Sequence, residues 1–378
     1  MSSSITTQKK SPNTMIRELG VYLKWRSLLA FRDKPFVLTL AITTHCNLSC
    51  KMCMHHERYV KTGKQSHMDL SLFKNIIDEV KPNFVNLTPD AGEPFMHPKI
   101  FSMIKYSKER GVRVEIATNG TLLQRDYDKI IDSGLDILKI SIDGSTDETY
   151  TKIRGENYLT EIKKGIILLN ASKAKNKLNN LSIRFNFVIL QDNYREISDM
   201  ISLAHELNVK TISFMRPIIF ESLEGNSTIG SETIFDEIND SVLFTEIEKG
   251  ITLSKDLGIK TDLHKWVQNY DQYWVQYKKG LLPIEKCMRP WLAPFVDVNG
   301  GIWPCAEINV FGRKLGDRRI EDFHSILHSR KYWMEMKNFL LCTQDYKICK
   351  GCNCTIYYSY SRYFNIIKRK VKNKINGF

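Results

Sequence analysis

Cys46, Cys50 and Cys53 stand in the run Thr44-His45-Cys46-Asn47-Leu48-Ser49-Cys50-Lys51-Met52-Cys53, just past an apolar, strand-like stretch. Three thiolates are one short of the four that close a structural zinc site. A 4Fe-4S cluster held by three cysteines instead keeps one iron open to bind and activate another molecule. The chemistry these residues predict is therefore an open iron site. The chain has nine cysteines, three here and six between Cys287 and Cys354, with none in the 233 positions between the groups. In a reducing compartment such clustering reads as metal ligation rather than disulfide bonding.

The elements that must position this loop are legible as alternating periods. Short apolar runs predict strands at 36–43, 84–87, 112–117, 137–142, 181–189 and 211–215. Apolar residues at helical spacing predict helices at 70–80, 100–110, 127–133, 159–171 and 197–207. Parallel neighbours need a crossover connection, so six strands alternating with helices predict an α/β fold, a partial (β/α)6 TIM-like barrel. Chemistry in such barrels sits at the C-terminal ends of strands, where Cys46, Glu93, Asn119, Ser141 and Asp143 fall.

The CxxxCxxC spacing resembles the signature of the radical S-adenosylmethionine (radical SAM) superfamily. Four later segments fall where that family places its own: Ala91-Gly92-Glu93-Pro94, Ala117-Thr118-Asn119-Gly120, Ser141-Ile142-Asp143-Gly144 and Ile153-Arg154-Gly155. The resemblance covers roughly residues 36 to 220. It implies that S-adenosylmethionine chelates the open iron through its methionine end. Its reductive cleavage, fed by a donor such as flavodoxin or ferredoxin, then yields a 5′-deoxyadenosyl radical that takes hydrogen from a substrate. The roles it implies are Gly92, Glu93 and Pro94 for the methionine amino group, Ser141 and Asp143 for the ribose, and Arg154 as a bidentate partner of the methionine carboxylate. Asn119 and Asn186 are further polar contacts. Met52 occupies a position where the family usually carries an aromatic residue over the adenine, which a thioether can also cover. His45, His55 and His56 flank the loop and fit hydrogen bonding to backbone better than catalysis.

The second cysteine group resembles the SPASM/twitch extensions of the same superfamily, through Cys287-Met288-Arg289-Pro290-Trp291, the Gly300-x4-Cys305 hairpin and Cys349-Lys350-Gly351-Cys352. That resemblance implies a second, auxiliary 4Fe-4S cluster on Cys287, Cys305, Cys349 and Cys352, with Cys342 and Cys354 surplus and either able to replace one of the four. The same four residues also suit a zinc site. A closed auxiliary cluster would accept an electron from a substrate radical and make the net reaction an oxidation. Sulfatase-maturing relatives carry a carboxylate directly after the hairpin cysteine, where this chain has Ala306; Glu307, Asp297 and Glu221 are the candidate bases in its place.

With 42% hydrophobic and 26% charged residues the composition is that of a folded protein, and its +13 net charge is concentrated at the ends. Residues 1–34 carry +5 and residues 362–378 carry +6, which leaves the body nearly neutral. This argues against nucleic acid as a partner and for local contacts by the termini. Residues 15–32 and 363–372 mix cations with bulky apolar residues in the manner of interfacial helices. Peripheral docking on anionic lipid competes there with a helix packed under the barrel and a solvated charge run.

The N-terminus lacks the apolar stretch of a secretory signal and no run of eighteen apolar residues occurs, so a cytoplasmic enzyme is expected. The expected organisation is a basic amphipathic segment 1–35, a radical SAM core 36–225, a helical and aromatic linker 226–284, a SPASM/twitch domain 285–356 and a basic tail 357–378. Within the linker, Trp266, Tyr270, Tyr273, Trp274 and Tyr277 fit packing between domains better than a substrate channel. About thirty-five residues precede the first strand, too few for the winged-helix domain of many peptide maturases. The expected substrate is therefore a small-molecule or lipid-linked polar compound, sugar- or cyclitol-like. Peptide or protein maturation is the alternative, and a zinc-stapled nucleic-acid-binding module the remote one.

Overall fold

A computed structural model describes residues 35, 37–53, 59–87, 92–176, 180–217, 220–221, 228–229, 237–268, 270–279, 287–306, 313–342, 349 and 352. The expectations for the two basic ends, His55, His56, Ala91, Glu307, Cys354 and the Glu221 side chain lie outside the described residues and side chains. Among the described residues no helix is long and apolar enough to cross a membrane.

Six strands, β1 (Val37–Leu40), β2 (Phe84–Asn86), β3 (Arg113–Thr118), β4 (Ile137–Ser141), β5 (Ser182–Val188) and β6 (Ile212–Met215), pair in sequence order, each parallel to the next. The intervening helices are α1 (Leu70–Val80), α2 (Ile100–Glu109), α3 (Leu123–Asp132), α4 (Asp147–Arg154), α5 (Leu159–Lys175) and α6 (Ile197–Glu206). Their apolar stripes, such as Phe73, Ile76, Ile77 and Val80 of α1, join the buried strand residues in one continuous core. The parallel α/β barrel of the sequence analysis is thus present.

Two helices differ from expectation. α3 starts at Leu123, before the expected 127–133 segment. α4 was not expected at all, because eight mostly polar residues give little apolar period. Its ends are nevertheless well signalled: Thr146 Oγ1 accepts from the Thr149 N–H, and Gly155 closes it at φ 90°, a left-handed conformation that favours glycine.

After the barrel, α7 (Asp240–Asp256) packs against α6, and α8 (Leu263–Gln268) leads into a π turn, Asp271–Val275. The aromatic stretch packs on β6 and α7: Trp266 Nε1 donates to Phe214 O at 3.3 Å, and Trp274 Nε1 to Asp240 Oδ1 at 2.9 Å. Arg216, at the end of β6, lies between the Tyr273 and Tyr277 rings, 4.1 Å from each centroid.

The hairpin expected between Cys287 and Cys305 forms as β9 (Phe295–Val296) and β10 (Gly301–Trp303), the strands β7 (Phe220–Glu221) and β8 (Thr228–Ile229) being a separate pair. β9 also pairs in parallel with β1, Thr39 opposite Phe295 and Leu40 opposite Val296. With β11 (Gly316–Asp317) on its far side, the hairpin extends the barrel sheet to nine strands. Two further helices, α9 (Phe323–His328) and α10 (Arg330–Leu341), follow, and Cys342 caps α10 in the left-handed conformation at φ 58°.

Candidate active site

The cysteine loop leaves β1 pinned on three sides. On the first, Met68 N donates to Ile42 O at 2.8 Å, Thr44 N to Ser66 O at 2.9 Å, and Thr43 Oγ1 meets His67 Nδ1 at 2.8 Å. The His67 ring in turn stacks on His45, centroids 4.3 Å apart. Burial, with His45 and His97 beside it, pushes His67 down to about 4, so it is neutral at physiological pH.

On the second side lies the turn after β2. Glu93 N donates to His45 O at 2.7 Å, and a Cβ on Gly92 would stand 2.5 Å from Thr43 O and 2.9 Å from His45 O. Only glycine fits there, because both obstacles are backbone. Pro94 opens the 3-10 turn Pro94–Met96, and Glu93 is fully committed beneath it. Its Oε1 accepts from Phe95 N at 3.1 Å and Thr118 Oγ1 at 2.7 Å, and its Oε2 accepts from Asn119 N at 2.7 Å. Burial pushes this carboxyl up to about 7 against the pull of those three donors. Asn119 then reaches the loop itself, its Nδ2 lying 2.9 Å from Asn47 Oδ1 and 3.9 Å from Cys46 Sγ.

On the third side lies the end of α4. Lys51 N donates to Ile153 O at 3.0 Å, and Gly155 stands against Ser49. Lys51 and Lys152 both pair with Asp192, the latter at 2.9 Å. Arg154 places Nη1 3.7 Å from Cys50 Sγ and pairs through Nη2 with Asp143, which is completely buried. Asp143 Oδ1 accepts from Val188 N at 2.7 Å. Sequence reasoning missed Tyr150 and Asp192. Asp192 has no signal in sequence, whereas Tyr150 is one helical turn from Arg154 and becomes visible once α4 is drawn.

Ser141 and Asn186 sit opposite each other in the β4–β5 register, and Asn186 stands opposite Ser213 of β6, a polar row across three strand ends. Met52 is partly buried against the main core. In the second group Cys287 and Cys305 are buried in a small apolar cluster with Phe339, against which Cys349 packs, and Arg289 N donates to Cys287 Sγ at 3.4 Å. Asp297 is bound into the hairpin turn: Oδ1 accepts from Asn299 N at 2.8 Å and Gly301 N at 2.9 Å, and Oδ2 from Trp303 Nε1 at 2.7 Å. Among the described residues no three His, Cys, Asp or Glu side chains are gathered around one ion position.

Residues 40–215 match the Radical SAM superfamily, and the chain carries a Radical SAM domain. The AdoMet-dependent heme synthase of Methanosarcina barkeri is 30% identical over 188 residues, 48% of this chain and 50% of that one. The chain spans about half the length of the curated relatives it matches. Streptococcus suis SuiB bound to its precursor peptide SuiA superposes with a TM-score of 0.61 at 15% identity, over 89% of this chain and 74% of that one. SuiB bound to S-adenosylmethionine gives 0.61 at 14% identity, over 92% and 79%. At such identity the likeness is one of fold, and the cysteine-rich C-terminal region accords with the SPASM/twitch resemblance.

Proposed function

We propose that the protein is a radical SAM enzyme whose Cys46, Cys50 and Cys53 hold a 4Fe-4S cluster with an open iron. The observation that carries this reading is how the loop is held: the backbone of Gly92 and Glu93 after β2, the side chain of Asn119 after β3 and the C-terminal end of α4 all contact it. Fit to a bound group is supported by polar atoms left over at the site. The Tyr150 hydroxyl and Arg154 Nε are buried without a hydrogen-bond partner among the described residues, a cost of about 1–3 kcal/mol each unless a ligand meets them. When bound, cluster and S-adenosylmethionine supply a 5′-deoxyadenosyl radical.

The chain's own part is to seat and shield. Gly92, Glu93 and Pro94 form the turn that receives the methionine end, with Asn119 beside it. Ser141, Asp143 and Arg154 border the space between β4 and the loop, and Met52 covers its rim. Asn186 and Ser213 extend the polar row toward the substrate. A second 4Fe-4S cluster on Cys287, Cys305, Cys349 and Cys352 would take up an electron from the substrate radical.

The substrate we infer is a small polar molecule, sugar- or cyclitol-like, free or lipid-linked, which suits the polar row at the strand ends. Peptide maturation is the second reading, favoured by the likeness of fold to SuiB, whose structure holds a precursor peptide. Anaerobic reconstitution with iron and sulfide tests the class. About eight irons per chain and reductive formation of 5′-deoxyadenosine are expected of two cubanes. Loss of that product on Cys46→Ala, Cys50→Ala or Cys53→Ala is expected with it. A protein that takes up zinc and no iron would sink the reading.

A further inference from the structure

We propose that Arg154 sets the reduction potential of the first cluster by donating a hydrogen bond to the Cys50 sulfur, with Asp143 as the group that holds it in place. The inference rests on the assignment of Cys46, Cys50 and Cys53 as cluster ligands and deepens it.

The family resemblance gives Arg154 a carboxylate to grip with two parallel N–H groups. The geometry gives it a further partner. Nη1 is already 3.7 Å from Cys50 Sγ, and Nη2 is taken by Asp143. Among the described residues only Nε has no partner, but each Nη keeps a second N–H, so the contact with Cys50 and the pair with Asp143, whose side chains are 8% and 0% exposed, stand whether or not a carboxylate meets the remaining donors. Separating a buried ion pair is expensive, because each charge is left in a low dielectric.

The pair is also held from outside. Asp143 Oδ1 accepts from Val188 N, and Asn193 Nδ2 donates to Asp143 O at 2.9 Å, which fixes the carboxylate and through it the guanidinium. Gly144 lets α4 come this close, since a Cβ there would stand 2.4 Å from Tyr150 N. The Tyr150 ring is fully buried on the same face of α4.

An N–H···S bond to a ligating thiolate withdraws electron density from the cluster and favours its reduced state. Asp143 cancels much of the arginine charge at longer range, so the effect acts through the contact with Cys50. It operates before any S-adenosylmethionine is present, which separates it from carboxylate binding.

The test is an EPR-monitored redox titration of the reconstituted full-length protein without S-adenosylmethionine. The first cluster's signal is the one missing from the Cys46→Ala, Cys50→Ala, Cys53→Ala triple variant. In Arg154→Gln the reduced-to-oxidised ratio at fixed potential is expected to fall about tenfold, or about 59 mV for one electron. Arg154→Lys, which keeps charge but loses the fork, should fall less. Equal potentials in wild type and Arg154→Gln at equal iron content overturn the proposal and return Arg154 to the carboxylate. If Arg154→Gln does not fold, Arg154→Lys decides: a lowered potential supports the contact, and a wild-type potential overturns it. A wild-type protein with no signal that depends on the three cysteines overturns the cluster assignment itself.

Discussion

Glu93 Oε2 accepts the backbone N–H of Asn119 at 2.7 Å, so one buried carboxylate ties the turn after β2 to the turn after β3, both of which touch the cysteine loop. Its carboxyl is held up to about 7 by burial, against an ordinary value of 4.5. Between those two values the folded chain keeps a proton that the unfolded chain releases, so this group makes stability fall as pH rises across that window. Above about 7 the loss is complete. Glu93→Gln should flatten that slope in denaturant melts of the metal-free protein. It should also lower stability by about 1–3 kcal/mol, since one of three donors then faces an amide N–H.

Gly92→Ala should be more severe at the site than in the fold. The added carbon meets backbone oxygens of Thr43 and His45, so the loop must move, at a cost of about 1–3 kcal/mol for overpacking. Iron bound per chain after reconstitution should drop at the first cluster, with the far-UV circular dichroism little changed. Full iron loading would show that the loop yields without consequence.

Burial pushes the Cys46 thiol up to about 11. In the metal-free protein its alkylation by iodoacetamide, followed by mass spectrometry, should therefore rise about tenfold per pH unit between 8 and 10, where a free thiol near 8.5 already levels off. Reconstitution should abolish the labelling, since the sulfur then loses its proton to solvent and is bound to iron.

Asp297→Asn should behave as a structural lesion. Its carboxylate closes the β9–β10 turn with three donors, so the variant should lose about 1–3 kcal/mol. It should form 5′-deoxyadenosine at the wild-type rate per loaded cluster. A normal Tm with turnover abolished would instead mark it as a base.

The strands were legible because each is an apolar run between helix-period segments, and β4 and β5 fall within a residue or two of 137–142 and 181–189. The cysteine loop and its partners Gly92, Glu93, Asn119 and Arg154 were legible from spacing and resemblance. What each partner touches was not. Nothing in Glu93 as a letter says that its oxygens face Thr118 and Asn119, and nothing in Arg154 says that Asp143 holds it, because both depend on how strand ends converge. The β9–β1 pairing was hidden for another reason. Two-residue strands carry no period, and the partner lies more than half the chain away.

That pairing also sets an order of events during synthesis. Translation delivers β1 and the cysteine loop long before β9, so the outer edge of β1 emerges from the ribosome unpaired and stays so while the other barrel strands assemble beside it. An open strand edge is a template for intermolecular pairing. The nascent protein is thus most prone to aggregation before residue 296 is made, and arrest of translation short of that point should yield chains that need a chaperone where the finished protein does not.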